Sequence, residues 1–143
     1  MSNPFSGLLL VVAVALVDRD GRVLVQQRPP GKPMAGLWEF PGGKVEAGEV
    51  PEAALARELA EELGIAIDAH ALAPAAFASE GLGGRHLLLL LYVAREWEGT
   101  PEPHHASALQ WVRPAEMRAL AMPPADVPLV DALERLLSPD AVV

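Results

Sequence analysis

The sequence predicts a one-domain α/β protein spanning residues 1–143, and three observations carry that prediction. Strand-like runs rich in β-branched residues alternate with helix-like segments along the chain. Two of those segments, 51–64 and 126–137, repeat leucines at helical spacing. The length of 143 residues, with 51% hydrophobic content, suits one compact core and is too apolar for disorder.

The elements follow in order. LLLVVAVALV (8–17) ends at the turn cluster Asp18-Arg19-Asp20-Gly21, after which RVLVQQR resumes with alternation, so the pair is expected to form a hairpin. Segment 29–50, PPGKPMAGLWEFPGGKVEAGEV, is broken by prolines and glycines and reads as a long functional loop. A helix should start near Pro51, which suits a first turn, and stop at Gly64, which suits the position just past the last. Ile65 to Ala78 reads as a weaker strand region, RHLLLLLYVAREW (85–97) as a strong strand and ALQWV (108–112) as a short one. A helical turn is expected from Pro114 to Leu120. The final helix, Asp126 to Leu137, sets Leu129, Val130, Leu133, Leu136 and Leu137 on the face that packs on the sheet.

Charge and composition exclude several functions. Lysines and arginines number 11 against 19 aspartates and glutamates, and the net charge of −8 has the wrong sign for tracking a nucleic-acid backbone. An anionic ligand would need a metal ion as intermediary. The chain has no cysteine, which removes disulfides, thiolate metal sites and cysteine nucleophiles. The apolar run from Leu8 to Val17 is about half of the roughly 20 residues that span a bilayer, and no Lys or Arg precedes it. A soluble, cytoplasmic protein with no membrane partner is expected.

The helix at 51–64 contains RELAEELG, with Glu58, Glu61 and Glu62 close together. At about 100° per residue, the three carboxylates fall within an arc of about 100°, beside a separate row formed by Leu55, Leu59 and Leu63. Such a row is often just a solvated face. Here, however, Glu58 and Glu62 form a like-charge pair one turn apart, and Glu61 and Glu62 sit in the last turn, where the helix dipole disfavours anions. Two local rules broken together point to a divalent-cation site as readily as to a solvated face.

The spacing upstream decides between them. From Gly43 the chain runs five residues to Glu49, then seven to Arg57-Glu58-Leu59-Ala60-Glu61-Glu62-Leu63-Gly64-Ile65. This resembles the Nudix box (43–65) at every fixed position. GLWEFPGGK, REWEGTP and PPADVPLV further resemble the MutT branch of the Nudix hydrolase family, and ALQWV to PPADVPLVDAL resembles its CTP pyrophosphohydrolases. The resemblance implies an α/β/α sandwich with a mixed central β-sheet. It also implies magnesium-dependent hydrolysis of a nucleoside triphosphate to the monophosphate and pyrophosphate, with manganese as the alternative metal.

The resemblance assigns roles residue by residue. Glu58, Glu61 and Glu62 hold the metal, with Glu58 as general base, and a main-chain carbonyl of Gly42 or Gly43 is a further ligand. Glu49 orients the water or takes an outer-shell position; Arg57 and Gly64 are structural. Arg28 and Lys44 meet phosphates, although each also reads as a surface charge. Asp126 recognises the base, with Trp38, Phe40 and Leu37 as its walls; from the sequence alone Asp126 before Val127-Pro128 reads more readily as a helix N-cap, a role compatible with the first, and the three apolar residues read equally as ordinary loop packing. Where relatives carry a further metal-binding glutamate, this chain has His105, and imidazole suits softer metals. Glu102 either replaces that ligand or the site relies on the helix, and His104 and His105 read as exposed loop residues.

The leading expected substrate is 8-oxo-dGTP, in a nucleotide-pool sanitation role, with CTP or a 5-modified dCTP as the alternative. Another diphosphate-linked nucleotide and a non-catalytic nucleotide-binding domain are the remaining readings. The partner is a small molecule, and the chain is a monomer or homodimer.

Overall fold

A computed structural model describes residues 7–138 of the chain. Its strands are β1 (Leu8–Leu16), β2 (Val23–Gln27), β3 (Trp38–Glu39), β4 (Gly42–Lys44), β5 (Ala73–Leu82), β6 (Arg85–Ala94) and β7 (Ala108–Val112); its helices are α1 (Pro51–Leu63) and α2 (Val127–Leu137). Short 3-10 turns cover Ala69–Ala71 and Pro114–Ala119. One sheet has the order β4-β1-β6-β5 and the other β3-β2-β7. The first is mixed, because β1 runs parallel to β6 and antiparallel to β4, while the second is antiparallel throughout.

β1 is apolar on both faces, and the fold uses both. Ala13, Ala15 and Val17 join a core with Leu89, Leu91 and Val93 beneath Leu129, Val130 and Leu133 of α2. Val12, Val14 and Leu16 point the other way, into a core with Leu55, Leu59 and Leu63 of α1. The mixed sheet is therefore sandwiched between the two helices, with β1 at its centre.

The fold corrects four readings. β1 and β2 are not a paired hairpin: the chain reverses at Asp18–Gly21, but only a single bridge, Val17 to Val23, joins them before they enter different sheets. A strand buried on both faces is better satisfied by two partners in a mixed sheet. Segment 29–50 is not all loop, since β3 and β4 pair with β2 and β1. The weak strand expected over 65–78 becomes a one-residue bridge at Ala66, the first 3-10 turn, and β5, which runs on to Leu82. Leu136, expected on the packed face of α2, is 52% exposed.

α1 begins with Pro51 in its first turn and ends at Gly64, whose φ of 70° is left-handed and whose N–H donates to Ala60 O at 3.2 Å. Leu55, Leu59 and Leu63 are fully buried. Each contributes about 1.5–3 kcal/mol by burial, which fixes how the helix is rotated and sends its glutamate edge toward β4.

Candidate active site

The glutamate edge of α1 lies against β4, and two glycines make that approach feasible. Gly42 pairs with Ala13 and Gly43 with Val12. A Cβ on Gly42 would lie 1.9 Å from Val12 O, and one on Gly43 would lie 2.4 Å from Cδ of Glu58. The strand can close on β1, and the Glu58 carboxylate can rest on the main chain, only because both side chains are absent.

Arg57 ties the pieces together. Its Nε donates to Glu49 Oε2 at 2.7 Å and its Nη2 to Glu49 Oε1 at 2.9 Å. Nη1 reaches Glu58 Oε1 at 3.0 Å and, more weakly, Glu61 Oε2 at 3.5 Å, while Nη2 also meets Lys44 O at 3.3 Å. The guanidinium beside Glu49, with help from the Glu46 N–H, holds that carboxyl down at about 2. So strong an acid is a poor proton acceptor at neutral pH. Glu61 is the most exposed of the three helix glutamates named above, and Arg57 is its side-chain partner. The Lys44 side chain is exposed.

Glu62 turns inward. Its Oε2 accepts from Gln26 Nε2 at 3.4 Å, and its carboxylate also accepts from the Gly42 N–H. Burial pushes its pKa up to about 7, and the charges of Glu58 and Glu39 push the same way. Gln26, 6% exposed in the middle of the fold, donates to Glu39 Oε2 at 3.3 Å as well. Glu39 in turn pairs with Arg28 Nη1 at 2.9 Å, and Arg28 Nε is held by Pro33 O at 2.7 Å. These side chains and His105 line a cleft of about 540 Å³.

Asp126 is buried, 6% exposed, and its Oδ2 accepts from the Phe40 N–H at 3.2 Å. It does not cap α2 with its side chain; its own dihedrals are already helical and its carbonyl accepts from Leu129 N. The N-cap reading is thus replaced by a carboxyl aimed across the fold at the residue that follows β3. Burial raises its pKa to about 7 against the opposing Phe40 hydrogen bond, with Glu39 adding to the rise and Arg28 subtracting. The Phe40 side chain is 3% exposed and belongs to the α2 core, so its amide, not its ring, faces this region. Trp38 is half-buried against the same core, and Leu37 before it is half-buried.

Residues 7–133 match the NUDIX domain family. The chain belongs to the NUDIX family. Over 128 residues it is 40% identical to the CTP pyrophosphohydrolase of Escherichia coli (strain K12), covering 90% of this chain and 93% of that protein. It is 33% identical over 128 residues to the 8-oxo-dGTP diphosphatase of the same strain, covering 89% and 98%. The solution structure of the E. coli ORF135 protein superposes with a TM-score of 0.83 at 36% identity, covering 98% of this chain and 99% of that one.

Nudix hydrolases generally use divalent metal ions and act on small-molecule nucleotides. The donor chemistry of this Nudix site fits such an ion. Glu58 and Glu62 crowd one helix edge against the glycine strand, oxygen donors of the kind hard cations take. A cation there would reverse the repulsion that raises Glu62. Among the described residues no three His, Asp or Glu side chains already converge as a metal cluster, since Glu58 is turned to Arg57 and Glu62 to Gln26. His105 lines the cleft, whereas Glu102 is largely exposed beside His104.

Sequence reasoning overlooked Gln26, Glu39 and the contact His104 makes with α1. Gln26 carried a faint signal, a polar residue following the apolar run VLV in a strand, whereas Glu39 lay in a segment read as loop. No helix among the described residues is long and apolar enough to cross a membrane.

Proposed function

We propose that this Nudix hydrolase is a magnesium-dependent nucleoside triphosphate pyrophosphohydrolase of the cytoplasm, releasing the nucleoside monophosphate and pyrophosphate. The observation that carries the reading is the Glu58 carboxylate resting on Gly43, flanked by Glu62 and tied to Arg57. Glu58, Glu62 and a glycine-strand carbonyl would hold the ion, with Glu61 completing the edge; when bound, the ion neutralises phosphate charge and acidifies the attacking water. Glu58 accepts the proton of that water. Glu49 acts through Arg57, which occupies both of its oxygens, and so positions Glu58 without serving as a second base. Arg28 and Lys44 meet the phosphates.

The base is read near Asp126, Trp38 and the Phe40 amide. A carboxyl poised near 7 is present in two forms around neutrality. The neutral form offers one donor and one acceptor, as an asparagine would, and matches a carbonyl next to an N–H, as in 8-oxoguanine. This supports 8-oxo-dGTP as substrate and a nucleotide-pool sanitation role linked to DNA repair. The second reading, CTP, is favoured by the 40% identity to a CTP pyrophosphohydrolase.

The test is pyrophosphate release with magnesium from 8-oxo-dGTP, dGTP, CTP and 5-modified dCTP. We expect kcat/KM for 8-oxo-dGTP to exceed that for dGTP, and Glu58→Gln to lose about 1,000-fold or more while unfolding normally. Equal rates for all four nucleotides would refute the sanitation reading, and full turnover by E58Q would refute the catalytic assignment.

A further inference from the structure

His104 lies outside every role described so far, yet it closes the end of the metal-bearing helix. The last turn of α1 leaves carbonyls without intrahelical partners. The His104 N–H donates to Glu62 O at 3.0 Å, and Nδ1 of its ring lies 3.2 Å from Glu61 O. The neighbouring Glu102 N–H donates to Leu63 O at 3.0 Å. Three successive terminal carbonyls are therefore taken by one loop, and two of them belong to Glu61 and Glu62.

The ring also sits on Gly64. A Cβ built there would lie 2.7 Å from His104 Cε1. Gly64 thus satisfies two independent demands: a φ of 70°, and room for an imidazole against its Cα. His104 and His105, next in the chain, both line the cleft together with Glu62. The same short loop fastens the helix terminus on one side and faces the substrate on the other.

We infer that His104 is a positioning residue, holding the backbone of Glu61 and Glu62 so that their carboxylates meet the metal in register. The inference rests on the proposed metal-dependent hydrolysis, and its test separates the two. His104→Ala keeps the loop backbone and its N–H bond to Glu62 O, so it removes the ring with its contacts to Glu61 O, Gly64 and the Glu102 carboxylate. Manganese affinity, measured by electron paramagnetic resonance on the protein without nucleotide, should fall about tenfold. The magnesium concentration for half-maximal pyrophosphate release should rise in step, with KM for nucleotide at saturating metal unchanged. His104→Asn, whose amide can donate to the same carbonyl, should restore most of both.

A second measurement needs no activity. Gly64→Ala should destabilise the native chain more than it destabilises H104A, because removing the ring removes the clash and leaves only the cost of the left-handed backbone. Unchanged manganese affinity in H104A, or strictly additive stability losses in the G64A/H104A double variant, would overturn the inference. If the native protein hydrolyses no nucleoside triphosphate but H104A still weakens manganese binding, the positioning role stands and the substrate reading falls.

Discussion

Replacing Asp126 with Asn is expected to stabilise this protein at neutral pH and to change little in acid. The amide keeps an oxygen that can accept from the Phe40 N–H, so the substitution removes ionisation and little else. The carboxyl is 6% exposed and its pKa is raised from 3.8 to about 7. A rise of about three units, at about 1.36 kcal/mol each, means that the ionised form costs the fold about 4 kcal/mol. Below about pH 4 the group is protonated in both folded and unfolded chains and the cost vanishes. As pH rises from about 4 to about 7 the unfolded chain releases its proton first, so stability falls, and above about 7 the whole cost is present. Urea unfolding of both proteins across this range measures the difference directly. The shift on Glu62 has the same sign but is present in both proteins, so it cancels. The advantage of D126N should grow from near zero in acid to about 4 kcal/mol in alkali. A difference that is independent of pH, or a loss of stability at high pH, would refute the reasoning.

Three further outcomes follow from the site. Gly43→Ala places a methyl group 2.4 Å from the Glu58 carboxyl carbon and should cost about 100-fold in kcat with a small change in unfolding midpoint; undiminished turnover would show that Glu58 need not rest on β4. Arg57→Lys cannot span Glu49 and Glu58 together, so pyrophosphate release should fall about tenfold, whereas stability should move by less than about 1 kcal/mol because the pairs are partly exposed. Glu39→Gln removes a negative charge that raises both Asp126 and Glu62, so carbon-13 NMR should find both carboxyls titrating at lower pH than in the native protein.

What was legible in the sequence was local. The leucine row of α1, its Pro51 start and its Gly64 stop sit within one short window, and the spacing from Gly43 to Ile65 is a linear pattern whose chemistry depends on one helix and the loop before it. Strand partnership was less accessible, because apolar alternation says which face is buried but not which neighbour covers it. Even so, β1 carried the clue. VVAVALV is apolar at consecutive positions, which suits a central strand covered on both faces better than a half-exposed hairpin.

The polar network was the part least visible, and the reason is distance along the chain. Gln26 meets Glu39 across 13 residues and Glu62 across 36, and Asp126 meets the Phe40 amide across 86. None of these pairings leaves a periodic trace. They also explain why no residue-by-residue reading could assign the acids: Glu49 is held near 2 and Glu62 and Asp126 near 7, although all three are ordinary carboxyls in sequence. What separates them is whether a guanidinium or a buried wall stands beside each one. The Nudix pattern specifies where carboxylates gather. The surrounding strands decide which of them is charged, and through Glu39 they place Glu62 on the helix edge and the Asp126 carboxyl in one electrostatic field.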